Sequence, residues 1–125
     1  MFTDNDSPEF ILSILGTNGL LLEHVKSPTN EHCLEAVKQN GLALEFVKEQ
    51  TPKICLEAVK QNGNLLKYVK NQTPEICLAA VKSNYRYLNY IRDQTDDLCL
   101  EAVKDTGLAL QYVRKQTPEI LYGCC

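Results

Sequence analysis

Residues 51–72 read TPKICLEAVKQNGNLLKYVKNQ, and the same pattern returns every 22 positions along the chain. Self-similarity at a fixed period of this length indicates a tandem array of structural repeats. The recurring cysteines are Cys33, Cys55, Cys77 and Cys99, and the threonines that open successive copies are Thr29, Thr51, Thr73, Thr95 and Thr117. Units 1 to 5 are residues 7–28, 29–50, 51–72, 73–94 and 95–116, and a partial unit 6 is 117–125. Repeat positions are numbered 1 to 22 within each unit.

Local chemistry predicts two short helices in each unit. Thr51 is a good N-cap, and Pro52 suits the first helical position, where the missing N–H leaves no hydrogen bond unmade. Asn62-Gly63 predicts the end of this helix, with the glycine in a left-handed C-cap. A second helix is expected over roughly 65–71, and the next Thr-Pro ends it. Each unit therefore reads as a helix, a turn and a helix.

Apolar residues in the first helix of each unit form a stripe too wide for one buried face. In unit 3 this stripe consists of Ile54, Cys55, Ala58 and Val59. Aliphatic residues at positions 6, 9, 16 and 19 add a core that neighbouring units must cover on both sides. The sequence predicts an all-α solenoid of tandem two-helix repeats that forms a single domain over residues 1–125. A leucine-rich repeat is the alternative fold at this period, but residues 56–60 (LEAVK) have helical spacing rather than the alternation of a strand.

Composition favours a soluble protein inside the cell. The chain has 125 residues, 44% hydrophobic content and a net charge of −3. No apolar run approaches the length of a membrane span, and residues 1–7 (MFTDNDS) are polar and acidic, unlike a signal peptide. We expect a cytoplasmic protein without a membrane partner.

The repeats resemble a known family. The segment AVKQNG occurs at 36–41 and 58–63, is followed by an L-x-x-V-K pattern, and QTPE stands at 72–75. These units are similar to short helical repeats grouped as a domain of unknown function in giant amoeba-infecting viruses and some intracellular bacteria. The resemblance covers 29–116 throughout and 7–28 more loosely. It implies a helical array with an interaction role and no catalytic residues, and the host cytoplasm or the virion as location if the origin is viral.

Six cysteines raise the question of disulfides and metals. Stacked helices lie roughly 8–10 Å apart, beyond the roughly 7 Å that a disulfide allows between Cα atoms. Tetrahedral zinc sites use pairs of ligands two to four residues apart, whereas the repeated cysteines are 22 apart. We therefore expect small buried thiols, with no metal and no cofactor. Cys124 and Cys125 stand apart, as adjacent thiols that can oxidise or crosslink chains. The favoured alternative is a frayed end of the chain in which they have no chemical role.

Catalysis has little support in the sequence. The two histidines are His24 and His32, and His32 beside Cys33 does not make a nucleophile and base because adjacent residues on a helix do not face each other. The recurring glutamates Glu35, Glu57 and Glu101 are explained as solvated helix-surface carboxylates. We expect that the protein is not an enzyme.

Unit 1 is the loosest copy, but the sharpest local departure lies in the aromatic residues of unit 4. Its segment 83–94 reads SNYRYLNYIRDQ, with Tyr85 where other units have glycine. A bulky residue in a left-handed cap would cost roughly 1–2 kcal/mol, so either the turn changes shape or a contact compensates. Because Tyr and Arg anchor many interfaces, we predict a partner-binding patch formed by Tyr85, Arg86 and Tyr87. Drift of the repeat without functional consequence is the alternative.

A non-enzymatic protein–protein interaction or scaffold module is the function that the sequence favours. The alternative is a nucleic-acid-associated module that uses two basic ladders. Position 10 carries Lys38, Lys60, Lys82 and Lys104, and position 20 carries Lys26, Lys48, Lys70, Arg92 and Arg114. Against this, acidic residues are interleaved on the same helices, and lysines near helix C-termini have a structural role of their own. A structural spacer without a partner is a third possibility.

The C-terminal end predicts self-association. Residues 117–125 begin a helix but include the apolar Ile120, Leu121 and Tyr122. A terminal repeat normally carries a polar outer face. We therefore expect that this end can dock on a second copy of the chain.

Overall fold

Each of units 1 to 5 consists of an α-helix followed by a 3₁₀ helix, in a computed structural model that describes residues 7–123. The α-helices are α1 Pro8–Leu15, α2 Asn30–Gln39, α3 Pro52–Gln61, α4 Pro74–Ser83, α5 Asp96–Asp105 and α6 Pro118–Gly123. The 3₁₀ helices are Gly19–His24, Gly41–Phe46, Gly63–Tyr68, Tyr85–Tyr90 and Gly107–Tyr112. No strand occurs over residues 7–123, so the predicted all-helical repeat fold is confirmed.

The start of each α-helix follows the sequence prediction. The side chain of Thr51 accepts the N–H of Ile54 at 3.3 Å, and Pro52 is the first helical residue of α3. An oxygen acceptor at this place satisfies one of the four N–H groups that a helix leaves unpaired. Thr73 and Thr95 cap α4 and α5 in the same way.

The predicted left-handed glycine cap is wrong. Asn62 ends α3 in an extended conformation at φ −154°, and no residue over 7–123 has a positive φ. The N–H of Asn62 bonds to the carbonyl of Ala58, and its side-chain oxygen accepts the N–H of Asn64 at 2.9 Å. One asparagine therefore ends the α-helix and caps the next helix. For the same reason Tyr85 carries no left-handed strain.

The second helix of each unit is also tighter and earlier than predicted. In unit 3 it is a 3₁₀ helix over Gly63–Tyr68, not an α-helix over 65–71. The N–H of Leu65 bonds to the carbonyl of Asn62 at 3.0 Å, which is the i to i−3 pattern of a 3₁₀ helix. The backbone then becomes extended at Val69 and leads to the next threonine cap.

A continuous core runs between the units. Each α-helix packs on the α-helices of adjacent units, and each 3₁₀ helix packs on its 3₁₀ neighbours. The predicted stripe of α3 is buried throughout. The leucines of position 6 differ from the prediction of core positions because they are only half-buried, although they pack against the core; they are Leu34, Leu56, Leu78 and Leu100.

The repeated cysteines are buried within this core. Cys33, Cys55, Cys77 and Cys99 are free thiols, and burial raises the pKa of each above its ordinary value of 9.0. A thiol in an apolar environment resists ionisation because the thiolate loses its hydration. These cysteines are thus poor nucleophiles in the folded chain.

The raised thiol pKa values predict a loss of stability at alkaline pH. The folded state keeps these protons above pH 9, whereas the unfolded thiols release them. The free energy of unfolding should be constant with respect to these groups below the unfolded pKa and should fall as the pH rises toward the folded pKa. Urea unfolding at several pH values from 7 upward measures this slope. Because tyrosines and lysines also titrate there, Cys77→Ala is the control; an unchanged slope in that variant would refute the role of the thiols.

Candidate functional site

Glutamines at position 22 join each unit to the next. The side-chain amide of Gln72 donates to the carbonyls of Leu66 and Tyr90, and its oxygen accepts the N–H of Arg92 at 2.9 Å. Gln50 and Gln94 make equivalent bonds to the unit that follows each of them. These amides satisfy backbone groups between the 3₁₀ helix and the next threonine cap.

The basic ladder of position 20 is also engaged with the backbone. The guanidinium of Arg92 donates to the carbonyls of Val69 and Lys70 in the preceding unit, and the ammonium of Lys70 donates to the carbonyl of Lys48 at 3.1 Å. Arg114 bonds to the preceding unit in the same manner. These side chains stabilise the junctions between units, which gives the ladder a structural explanation.

Glutamines at position 11 close the outer edge of the early junctions. In the α2/α3 junction, the side-chain oxygen of Gln61 accepts the N–H of Gly41 at 2.8 Å. Its amide donates to the carbonyls of Val37 and Lys38 at 2.6 and 3.0 Å. A Cβ at Gly41 would lie 2.7 Å from Cδ1 of Leu65 in the next unit, so a larger residue there would displace the leucine side chain. Position 13 of one unit therefore faces positions 11 and 15 of the next.

The α4/α5 junction breaks this arrangement at both positions. Tyr85 replaces the glycine of position 13, and Asp105 stands where units 2 and 3 have glutamine at position 11. The ring of Tyr85 packs beside Tyr112, with centroids 5.9 Å apart. The shorter side chain of Asp105 lines a cavity at the place where Gln61 bridges the earlier junction. This cavity has a volume of about 360 Å³.

A second cavity of about 250 Å³ lies between the same two helices. Leu78 of α4 and Glu101 of α5 line both cavities, so the two form one groove along the α4/α5 junction. The groove reaches the core, because Val81 keeps 5% exposure whereas its equivalents Val37 and Val59 keep 0%. We call this feature the α4/α5 groove.

The α5 wall of the groove is acidic. Asp97, Glu101 and Asp105 line it and are spaced four residues apart, so they lie on one face of α5. Lys82 on the α4 wall is a cation among the lining residues of the first cavity. The floor is apolar, with Leu78, Val81 and Leu98 among its residues. The groove thus combines an apolar surface with a negative edge.

The predicted patch of Tyr85, Arg86 and Tyr87 is divided between two surfaces. Tyr85 lines the α4/α5 groove, whereas Arg86 and Tyr87 line a separate, more polar depression on the side of the 3₁₀ helices. Residues two apart on a 3₁₀ helix point in different directions because three residues complete a turn. Tyr112 lines the depression and packs on Tyr85, so it lies between the two surfaces. A partner-binding role of Tyr85, Arg86 and Tyr87 stays a prediction.

Tyr87 has a packing role in that depression. A Cβ at Gly63 would lie 2.5 Å from Cε2 of Tyr87, so the ring sits directly on the glycine backbone. Its ring stacks on Tyr90 with centroids 6.2 Å apart, and its hydroxyl lies 3.5 Å from the side-chain oxygen of Asn62. Among the aromatics of position 18, Phe46, Tyr68 and Tyr112 are half-buried, whereas Tyr90 is 37% exposed.

Sequence reasoning missed the acidic wall. Asp105 was visible as a departure from the glutamine that units 2 and 3 have at position 11, and it lies in the unit after Tyr85, the departure at position 13. The two departures lie at the same junction. This is seen only when position 13 of one unit is compared with position 11 of the next unit. Glu101 was explained as a solvated carboxylate and is exposed, as are Asp97 and Asp105.

Histidine geometry agrees with structural roles. His32 is 4% exposed, and its Nδ1 accepts the N–H of Thr29 at 3.2 Å within a capping box. His24 lies at the surface beside Glu23, with 3.3 Å between the imidazole and the carboxylate. Over residues 7–123, no three His, Cys, Asp or Glu side chains are grouped as ligands for a metal ion.

Comparison with known proteins identifies the repeats. The family model described as "Domain of unknown function (DUF4116)" matches residues 33–72 and 51–95. The two overlapping matches together span 33–95, half of the chain. The chain belongs to this family. Neither a curated protein nor a solved structure matches the chain.

The second DUF4116 match ends at the groove. Both α4 and the 3₁₀ helix with Tyr85 lie within the second match, whereas α5 begins at Asp96, just beyond it. The acidic wall thus lies outside the part of the chain that the family model matches.

The ends of this DUF4116 chain are described in part. In α6, Ile120 is 1% exposed and Leu121 is 39% exposed. Cys124 and Cys125 lie outside the described residues. Self-association through this end stays a prediction. None of the helices within residues 7–123 combines the length and the apolar character that crossing a bilayer requires.

Proposed function

We propose that this chain is a non-enzymatic scaffold that binds a protein partner. The observation that carries the proposal is the α4/α5 groove, an apolar cleft that opens between two units of an otherwise closely joined stack. Apolar clefts with a few charged groups are typical binding sites. The bonded glutamines at position 22 and basic residues at position 20 hold the two walls on a common frame. A binding site on a rigid frame loses less conformational entropy when a partner docks.

The chemistry of the side chains supports a binding role rather than catalysis. The repeated thiols are buried and their pKa values are raised, so they are weak nucleophiles. The buried His32 uses Nδ1 in a helix cap. An intracellular location belongs to this proposal, because a reducing compartment preserves free buried thiols.

Binding of nucleic acid is less well supported than binding of protein. At position 20, Lys70, Arg92 and Arg114 donate to backbone carbonyls of the preceding unit. Side chains held in this way are less available to phosphate groups. The groove itself carries three carboxylates, which would repel a phosphate backbone.

Affinity capture from a cell lysate tests the scaffold proposal. The immobilised chain is exposed to lysate under reducing conditions, with and without nuclease, beside an unrelated acidic helical protein as the control. We expect at least one protein that is retained in both conditions, is absent from the control, and co-elutes with the chain in size-exclusion chromatography. Loss of all retained material after nuclease treatment, or no material beyond the control, would contradict the proposal.

A further inference from the structure

The α4/α5 groove exists because two departures from the repeat coincide at one junction. In the α1/α2 junction, Gly19 donates its N–H to the side-chain oxygen of Gln39 at 2.6 Å, and Gln61 makes the corresponding bond to Gly41 in the next junction. In the α4/α5 junction, Tyr85 takes the place of the glycine, and Asp105, with a shorter side chain, takes the place of the glutamine. The edge that a glutamine closes in the first two junctions therefore stays open here, whereas in the α3/α4 junction Ser83 stands at position 11 and the ring of Tyr87 packs on Gly63.

The shape of the opening suits a helical segment. The groove runs between two parallel-stacked helices, and its lining extends from Pro74 to Tyr85 on one wall and from Asp97 to Asp105 on the other. A groove between two helices accepts the side-chain ridge of a third helix. Half-buried Leu78 and the core residue Leu98 form the floor of the groove, and this floor provides an apolar contact for that ridge.

The charge along the groove selects the occupant. The carboxylates of the α5 wall recur every four residues, about 6 Å apart along the helix axis at 1.5 Å per residue. In a partner helix that lies along the groove, lysines or arginines four residues apart have the same spacing as the three carboxylates of α5. Like charges four residues apart repel each other and lower the stability of the helix that carries them, which here is α5. A cationic partner would relieve this repulsion in α5.

We propose that the α4/α5 groove binds a basic amphipathic helix of a partner protein, with the apolar face of that helix on Leu78 and its cations beside Asp97, Glu101 and Asp105. This inference deepens the scaffold proposal and rests on it. It assigns the partner-binding role to one junction and to one class of protein segment.

Peptide binding tests the inference directly. Three labelled peptides of about 18 residues, roughly five helical turns, are compared by fluorescence anisotropy. The first carries a leucine face flanked by lysines four residues apart, the second is a scrambled isomer, and the third has glutamate in place of every lysine. We expect the first peptide to bind at least about tenfold more tightly than the others at low salt, and to weaken as salt screens the charges.

Matched variants separate the groove from general charge attraction. The triple variant Asp97→Asn/Glu101→Gln/Asp105→Asn should weaken the first peptide by about tenfold, since each exposed ion pair contributes modestly. The control Glu9→Gln/Glu31→Gln/Glu45→Gln changes the net charge by the same amount at exposed sites outside the groove. It should leave the affinity within about twofold. Equal weakening in both variants, or no binding of the first peptide to the unchanged chain, would overturn the inference.

A variant that closes the groove distinguishes this inference from the scaffold proposal. Tyr85→Gly/Asp105→Gln restores the pair found at Gly19 and Gln39, and circular dichroism would confirm that it folds. We expect it to lose about tenfold in affinity for the first peptide. If this variant still captures the same partner from lysate, the groove is not the site although the scaffold function stands. If the unchanged chain captures no protein, the scaffold proposal itself fails.

Discussion

Gln72→Ala is expected to lower the free energy of unfolding by about 2–3 kcal/mol, although the side chain is polar and only half-buried. The substitution removes bonds to the carbonyls of Leu66 and Tyr90 and to the N–H of Arg92. The backbone groups of Tyr90 and Arg92 then lack their partner from the preceding unit. Because a repeat array depends on the coupling between neighbours, we also expect a less cooperative transition.

Urea unfolding followed by circular dichroism measures both effects. The matched control is Gln116→Ala at the same repeat position, where the amide donates to Leu110 of its own unit at 3.1 Å. That variant should lose less than about 1 kcal/mol, the value of a typical single hydrogen bond. Similar losses in the two variants would show that the bridge between units contributes little.

Gly63→Ala should destabilise the chain by about 1–3 kcal/mol through overpacking. The new Cβ would lie 2.5 Å from Cε2 of Tyr87, and both rings stacked at this place would have to move. The backbone conformation is not the reason, because Gly63 has no positive φ. Thermal and urea unfolding of the purified variants measures the loss.

A double-mutant cycle isolates this clash. In a Tyr87→Ala background the same glycine substitution should cost less than about 0.5 kcal/mol, since the ring that it meets is gone. Gly16→Ala is the positive control: Gly16 has right-handed helical backbone angles and ordinary contacts at 3.5 Å, so alanine should stabilise by about 0.5–1 kcal/mol. An unchanged cost of Gly63→Ala without Tyr87 would refute the packing explanation.

The sequence predicted the regular spacing and the α-helix starts because these depend on local chemistry. Thr51 and Pro52 act within one turn of their own backbone, and the buried stripe of α3 follows from helical spacing. The 3₁₀ helix was not predicted, because Asn62-Gly63 fits two structures. The same two residues can form a left-handed glycine cap or an asparagine cap on a new helix. Which of the two forms depends on contacts between units, in which Leu65 and Tyr87 pack against glycines of the preceding unit.

The candidate site was predicted only in part, for the same reason. Tyr85 was recognised as a departure, but its direction depends on the 3₁₀ turn, which separates it from Arg86 and Tyr87. The contribution of Asp105 depends on a contact across the junction that a reading of single units does not show. The groove can be predicted only from pairs of positions in adjacent units, not from any single unit.

The contact of position 13 with position 15 of the next unit limits how such an array can grow. A tandem duplication of residues 73–94 would set a copy of Tyr85 against a copy of Tyr87, whereas Tyr85 now precedes a unit with the small Ala109 at that position. Two large rings would compete for a space that elsewhere holds one ring and a glycine. Duplication of unit 3 would instead set Gly63 against a copy of Leu65, the pairing that Gly41 already makes. New repeats can therefore be inserted beside unit 3 more readily than beside unit 4, and the groove can be copied only when units 4 and 5 are duplicated together.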